Sequence, residues 1–200
     1  MEGNCRLKQA LIRDKRYESL YLLPAAQTRD KNAVNPEQMK VLCKELAQDF
    51  DLVIIDCPAG IEQGFKNAIA GADQAIIVTT PEVSAVRDAD RIIGLLESEG
   101  KENPKLIINR IRPNMVKKGD MMDINDIIEI LAIDLLGIIP EDEYIIVSTN
   151  RGEPAVANPL SVASTAYKNI VRRLLGENVP LMKIESNDGF MSRLKKVFNF

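Results

Sequence analysis

Four short apolar runs constrain this chain more than any other feature: VII at 53–55, AIIV at 75–78, LII at 106–108 and LGII at 136–139. Continuous, mostly β-branched runs lack the alternation of a half-exposed strand and are expected where both faces of a parallel sheet are covered. Another short apolar strand is expected at 20–23. Helix-period segments separate them. Asn35, Pro36 and Gln38 occupy the N-cap, N1 and N3 positions of a helix that puts Met39, Leu42, Cys43 and Leu46 on one face. Helices are likewise expected at 63–70, at 83–98 with Ala85, Ala89, Ile92, Ile93 and Leu96 inward, at 124–131 and at 159–175. Strands alternating with helices through short connections imply an α/β fold, a mostly parallel sheet with helices on both faces.

Composition sets the outer limits. Two hundred residues at 46% apolar suffice for one substantial core, so one domain is the expectation. A net charge of -3 with pI near 5.2 gives the bulk chain no electrostatic reason to bind nucleic acid. Three cysteines, Cys5, Cys43 and Cys57, are odd in number, and the first ten residues lack the apolar core of a secretory signal; a reducing cytosol fits. No apolar run approaches the roughly 18 residues a spanning helix needs.

Ligands of such folds gather at the carboxyl ends of the strands. Asp56 stands where VII ends and is followed by Pro58 and Gly60. A carboxylate there can hold magnesium or its water shell, and a glycine just beyond lets a backbone N–H approach a terminal phosphate, as at the edge of a P-loop nucleotide site. The alternative is an aspartate that caps the next helix or closes its own turn. The phosphate cradle G-x-x-x-x-G-K-[ST] is not in the sequence. Its nearest approximation, GLLESEGKE at 94–102, spaces the glycines wrongly, puts Glu102 where Ser or Thr should stand, and reads as a helix end with Gly100 as its cap.

Two other strand ends carry polar residues. Glu82 and Ser84 begin the helix that bears Arg87, Asp88, Asp90 and Arg91; capping residues and a solvated helix face explain these without a ligand. Asn109 and Arg110 follow LII, while Pro140, Glu141 and Asp142 follow GII; they serve either as turn residues or as hydrogen-bonding partners of a purine edge.

The last eleven residues, FMSRLKKVFNF, place Phe190, Met191, Leu194, Val197 and Phe198 on one helical face, with Arg193, Lys195 and Lys196 beside or opposite it. A polar hinge, Ser186 to Gly189, precedes them. A helix of this length spans about 16 Å, so it lies in a bilayer interface without crossing it. Five large apolar side chains at roughly 2 kcal/mol each, with about 1 kcal/mol per cation on an anionic leaflet, contribute about 13 kcal/mol. Ordering eleven backbones costs at least about 11 kcal/mol. A single copy therefore binds weakly, whereas two copies on one particle make the second insertion intramolecular and association strong. The other reading is a terminal helix docked on its own core.

Six stretches resemble one family in order: LPAAQTRDK at 23–31, DLVIIDCPAGIE at 51–62, PEVSAVRDADRI at 81–92, INRIRP at 108–113, GDMMDINDI at 119–127, and the basic amphipathic tail. They are similar to MinD, the membrane-associated branch of the ParA/MinD P-loop ATPases of bacterial division-site selection, from about residue 4 to residue 200. The resemblance implies an ATPase that uses ATP and Mg2+, forms a homodimer on an anionic membrane surface at the inner face of the cell membrane, recruits the inhibitor MinC to block septum formation away from midcell, and answers to MinE or another topological regulator. Nucleic acid is not expected as a partner. It implies that Asp56 matches the switch II aspartate, acting on Mg2+ indirectly, and Gly60 the glycine facing the γ-phosphate. Asn109, Arg110, Pro140 and Asp142 match positions around the adenine. Glu82, Ser84, Asp88 and Asp90 match the MinC- and MinE-contacting helix, and residues 190–198 the membrane-inserting face.

On this reading residues 1–180 are a P-loop ATPase domain lacking its first strand, phosphate loop and switch I, 181–189 a linker and 190–200 a membrane-targeting helix. The expectation is that this polypeptide alone hydrolyses no ATP and aggregates, since losing a strand exposes an apolar sheet edge. Phosphate-release and thermal-melt measurements test this; turnover together with one clean transition would contradict it. A non-catalytic membrane adaptor and a ParA-like partitioning ATPase are the alternatives.

Overall fold

The computed structural model describes residues 6–25, 34–58 and 60–182. They fall into two compact units, residues 1–73 and 74–200, where composition suggested one core.

The first unit contains α1 (Leu7–Ala10), an antiparallel pair of two-residue strands, β1 (Ile12–Arg13) and β2 (Tyr21–Leu22), and then α2 (Pro36–Leu46) and α3 (Gln63–Gly71). The capping box forms as the sequence dictates: Asn35 Oδ1 accepts from the Gln38 N–H at 2.9 Å, and Gln38 Oε1 from the Asn35 N–H at 3.0 Å. Helices α2 and α3 approach closely at Gly71, where a Cβ would stand 2.7 Å from Cys43 Sγ. The strand expected at 20–23 shrinks to Tyr21 and Leu22, because its partner offers only two residues to pair with.

The buried strand expected at 53–55 does not form. The segment is irregular, and Ile54 is 82% exposed. No described strand lies beside it, so its backbone groups have no ladder, and of its three apolar side chains only Ile55 is half-buried, near Gly71 of α3.

The second unit is the α/β body. Its elements are β3 (Ile76–Thr79), α4 (Val83–Ser98), β4 (Lys105–Ile111), α5 (Pro113–Lys118), α6 (Ile124–Leu131), β5 (Asp134–Pro140), α7 (Glu143–Asn150), a 3-10 turn (Ala155–Ala157) and α8 (Val162–Leu174). The strands are all parallel in the order β3-β4-β5. Central β4 is covered on both sides. Ile107 joins Leu136, Ile139, Ala163, Ala166 and Ile170 in one cluster, while its neighbours Leu106 and Ile108, pointing the opposite way, are fully buried. Val86, Ala89, Ile93 and Leu96 form the buried stripe of α4, which packs on β3 and α6. Val86 belongs to that stripe although the periodicity did not single it out.

β3 departs from expectation. Ile77 and Thr79 are buried, but Ile76 and Val78 are 42% and 59% exposed, because β3 is an outer strand with one face uncovered. α8 begins at Val162 rather than at 159: Asn158 Oδ1 accepts the Leu160 N–H in a preceding turn, and Ser161 caps the helix through the Ser164 N–H. α5 and α7 went unrecognised. Each is short, Pro113 opening the first and Asp142 capping the second.

Gly137 lets α8 sit directly on β5, since a Cβ there would overlap Ile170 Cγ1. Gly137→Ala is expected to lower stability by about 1–3 kcal/mol through overpacking. A urea melt should show an earlier midpoint with an unchanged slope.

Candidate functional site

The carboxyl ends of β3, β4 and β5 are drawn together by backbone and charge. The Glu141 N–H donates to Ile111 O at 3.0 Å, and the Met122 N–H to Pro81 O at 3.2 Å. Between Ile108 and Ile111 the β4–β5 register shifts, which takes Asn109 and Arg110 out of the regular ladder. Arg110 adopts a left-handed backbone, φ +59, and its N–H is satisfied locally by Asn109 Oδ1 at 2.9 Å. A bulge of this kind re-aims side chains, commonly beside a site.

Three charges dominate this edge. Arg110 Nε donates to Glu141 Oε2 at 3.0 Å and Arg112 Nη2 stands 3.6 Å from Glu141 Oε1, so one carboxylate is shared by two guanidinium groups. The Arg110 hydrogen bond, foremost, together with the charges of Arg110 and Arg112, holds the Glu141 carboxyl below its ordinary range against the opposing effect of burial. Glu141 in return raises the Arg110 guanidinium, and the charge of Glu82 adds to that effect, so the start of α4 is electrostatically linked to the β4 edge. Sequence reasoning did not assign Arg112 to the site, and it named Glu141 only among the polar residues after GII, without its arginine partners. The signal was the R-x-R spacing after one strand and a glutamate after the next.

Asp142 sits beside this group with its carboxylate fully engaged. It caps α7 by accepting the Tyr144 N–H at 2.9 Å, and it accepts the Ser161 hydroxyl at 2.7 Å and the Ala163 N–H at 3.0 Å at the start of α8. Burial alone pushes this carboxyl up, but the Ala163, Ser161 and Tyr144 donors outweigh it and hold the pKa below normal. Pro140 is buried, so what it offers a ligand is backbone and shape.

Glu82, Ser84, Asp88 and Asp90 are all exposed on α4. Glu82 occupies the N-cap position without a side-chain capping bond, and neither Asp88 nor Asp90 forms an ion pair among the described residues. Ser84, Asp88 and Asp90 thus stand on an exposed helix face that also carries Arg87 and Arg91.

Asp56 and Gly60 belong to the first unit. Asp56 and Pro58 are exposed at the end of the irregular 52–58 segment, and Gly60 has φ +97, a conformation that only glycine adopts without strain. Burial first, then the charge of Asp56, pushes the Cys57 thiol above its ordinary value. Among the described residues no three potential ligands gather as a metal cage. A lone exposed carboxylate suits Mg2+, which keeps several waters and is otherwise held by phosphate oxygens. Residues 190–198 lie outside the described residues.

A parallel, helix-clad sheet with its polar side chains gathered at the strand ends defines an α/β protein of the P-loop NTPase-like class. No family model matches the chain. It is, however, 59% identical over 201 residues to the septum site-determining protein MinD of Bacillus subtilis, a match covering 99% of this chain and 75% of that one. The chain belongs to the MinD family. Among solved structures it resembles the MinC:MinD cell division protein complex of Aquifex aeolicus, with TM-score 0.84, 45% identity, and coverage of 91% of this chain and 73% of that one. It also resembles the Pyrococcus horikoshii MinD complexed with Mg-ADP, with TM-score 0.75, 27% identity and coverage of 86% and 70%.

Both depressed carboxyls couple folding to pH. Glu141 and Asp142 contribute stability that is present above the unfolded carboxylate range, about pH 4, and is lost as pH falls through their lower folded values. Melts from pH 6 to pH 2 should show an acid-side loss that Asp142→Asn makes shallower. The same substitution should cost about 1–2 kcal/mol at pH 7, because two helix starts lose a charged cap.

Proposed function

We propose that this chain acts in division-site selection as a nucleotide-governed dimer that anchors to the membrane through residues 190–200 and engages a MinC-type inhibitor through the exposed face of α4. The observation that carries this reading is the 59% identity with a septum site-determining MinD across 99% of the chain. The MinC:MinD complex among the similar structures supports the partner.

The Mg-ADP complex of the Pyrococcus relative supports ATP and Mg2+ as cofactors. When bound, they would supply a phosphoryl group and a cation that neutralises it; the phosphate loop that hydrolysis needs is not in the sequence, so this polypeptide alone is expected to hydrolyse no ATP. The chain's own residues then do the following. Asp56 would hold the cation's water shell and Gly60 would face the terminal phosphate. In the α/β body, Asn109 and Arg110, taken out of the ladder by the register shift, and Pro140 would meet the base. Asp142 acts by holding the starts of α7 and α8 in place. Glu82, Ser84, Asp88 and Asp90, together with the exposed Arg87 and Arg91, offer a charged surface of mixed sign to a partner such as MinC or a MinE-type regulator.

Dimerisation places two tails on one particle. Each is a feeble anchor, and together they hold through effective concentration. No helix among the described residues is long and apolar enough to cross a membrane.

Flotation with anionic vesicles tests the anchor: the full-length protein should float with ATP and far less with ADP, and a version ending at residue 188 should not float at all. Equal flotation with either nucleotide would refute nucleotide control. In the same preparation, Asp88→Lys combined with Asp90→Lys should weaken MinC binding by about tenfold, corresponding to roughly 1.4 kcal/mol, and leave flotation unchanged.

A further inference from the structure

Each outer strand of the parallel sheet has one edge without a strand partner among the described residues, and the two edges are finished differently. β3 has none of the usual protections in its sequence: IIVT carries no charge or proline to discourage pairing, and Ile76 and Val78 are exposed. β5 is strapped. Its ladder with β4 passes from the pair Leu106 and Leu135 to the pair Ile107 and Gly137, and so skips Leu136. Arg173, half-buried in the last turn of α8, donates from Nη1 to the carbonyl of this skipped residue at 2.9 Å. The same guanidinium donates from Nε to Val179 O at 2.7 Å and from Nη2 to Pro180 O at 2.8 Å, which holds residues 179 and 180 beside the β5 backbone. Two further contacts keep them there. Arg172 Nε meets Glu177 Oε2 at 2.8 Å after the left-handed turn at Gly176, and Met182 packs against the cluster that contains Ile107, Leu136 and Ile139.

We propose that residues 177–182 are a strap, fastened by Arg173, that guards the outer edge of β5 against the β3 edge of a second copy of this chain. The partner follows from the sheet itself. Its strands are parallel in the order β3-β4-β5, so an uncovered β5 continues the ladder by taking β3 of another copy as its next strand. Such a contact is head-to-tail, and every added copy presents a fresh β5 edge, so growth does not close. With the strap shut only β3 is open, and an edge that pairs with its own counterpart stops at two copies. Arginine suits the fastening because its planar fork meets three carbonyls at once, which a lysine ammonium on a flexible stem does not. Without that fork the Leu136 carbonyl, already passed over by β4, has lost its donor and the edge is ready to accept one from a strand.

The test uses the full chain and reads hydrogen exchange at 177–182 together with the size distribution in sedimentation velocity. Arg173→Lys and Arg173→Ala are expected to raise exchange at 177–182 and to speed assembly about tenfold, into species well beyond the dimer. Adding Val78→Lys, at an exposed position of β3, puts a charge on the other half of the contact and should return assembly to the wild-type rate or below it. Glu177→Arg sets like charges against each other at Arg172 and loosens the strap from its exposed side without touching the Leu136 carbonyl. It should raise both readouts by a smaller factor, and it keeps the test decisive where an arginine variant does not fold. Exchange that stays slow without Arg173 would overturn the fastening. A released strap with unchanged assembly would overturn the guard, and assembly that Val78→Lys leaves untouched would overturn β3 as the occupant.

Discussion

Pairing of β4 on both of its edges, and burial on both of its faces, is the constraint from which the α/β body follows. Lys105 to Ile111 hydrogen-bonds to β3 on one side and β5 on the other, and Leu106, Ile107 and Ile108 are each buried in succession. A strand so enclosed cannot slip by one residue without turning apolar groups to face the wrong layer. Its carboxyl end is therefore fixed in space, and the bulge that frees Asn109 and Arg110 occurs at a defined position relative to Glu141 on the neighbouring strand. The polar edge inherits its geometry from the apolar middle.

The parts of the fold that were legible in the sequence are those decided locally. The box at Asn35 and Gln38, the span of α4 with Gly100 just beyond it, and the span of α6 after Asp123 all follow from caps and 3.6-residue periodicity. What misled was burial that depends on neighbours. VII at 53–55 and AIIV at 75–78 read alike, yet the first stays outside any described ladder and the second is covered on one face only. A run of β-branched residues records that a strand can be buried, while the covering layer is supplied by other segments.

The candidate site was legible in residue identity more than in arrangement. Asn109, Arg110 and Asp142 were recognisable as strand-end polar residues, but their division of labour was not. That Asp142, beyond its local cap on Tyr144, spends its other oxygen on Ser161 and Ala163, whereas Arg110 spends its donors on Glu141, depends on contacts separated by 19, 21 and 31 residues in sequence. No local pattern encodes such a partition. Family membership, by contrast, is legible throughout, because it is carried by strings of consecutive residues.

The carboxylate that Arg110 and Arg112 share has one more effect. With Glu141 between them and Glu82 acting on Arg110, two positive groups at a sheet edge are nearly neutralised from within. Stray anions such as free phosphate or sulfate find little net attraction there and would have to evict a resident counter-ion to enter. An uncharged heterocycle faces no such competition. The edge is thus polar in its hydrogen-bonding groups while carrying little net charge.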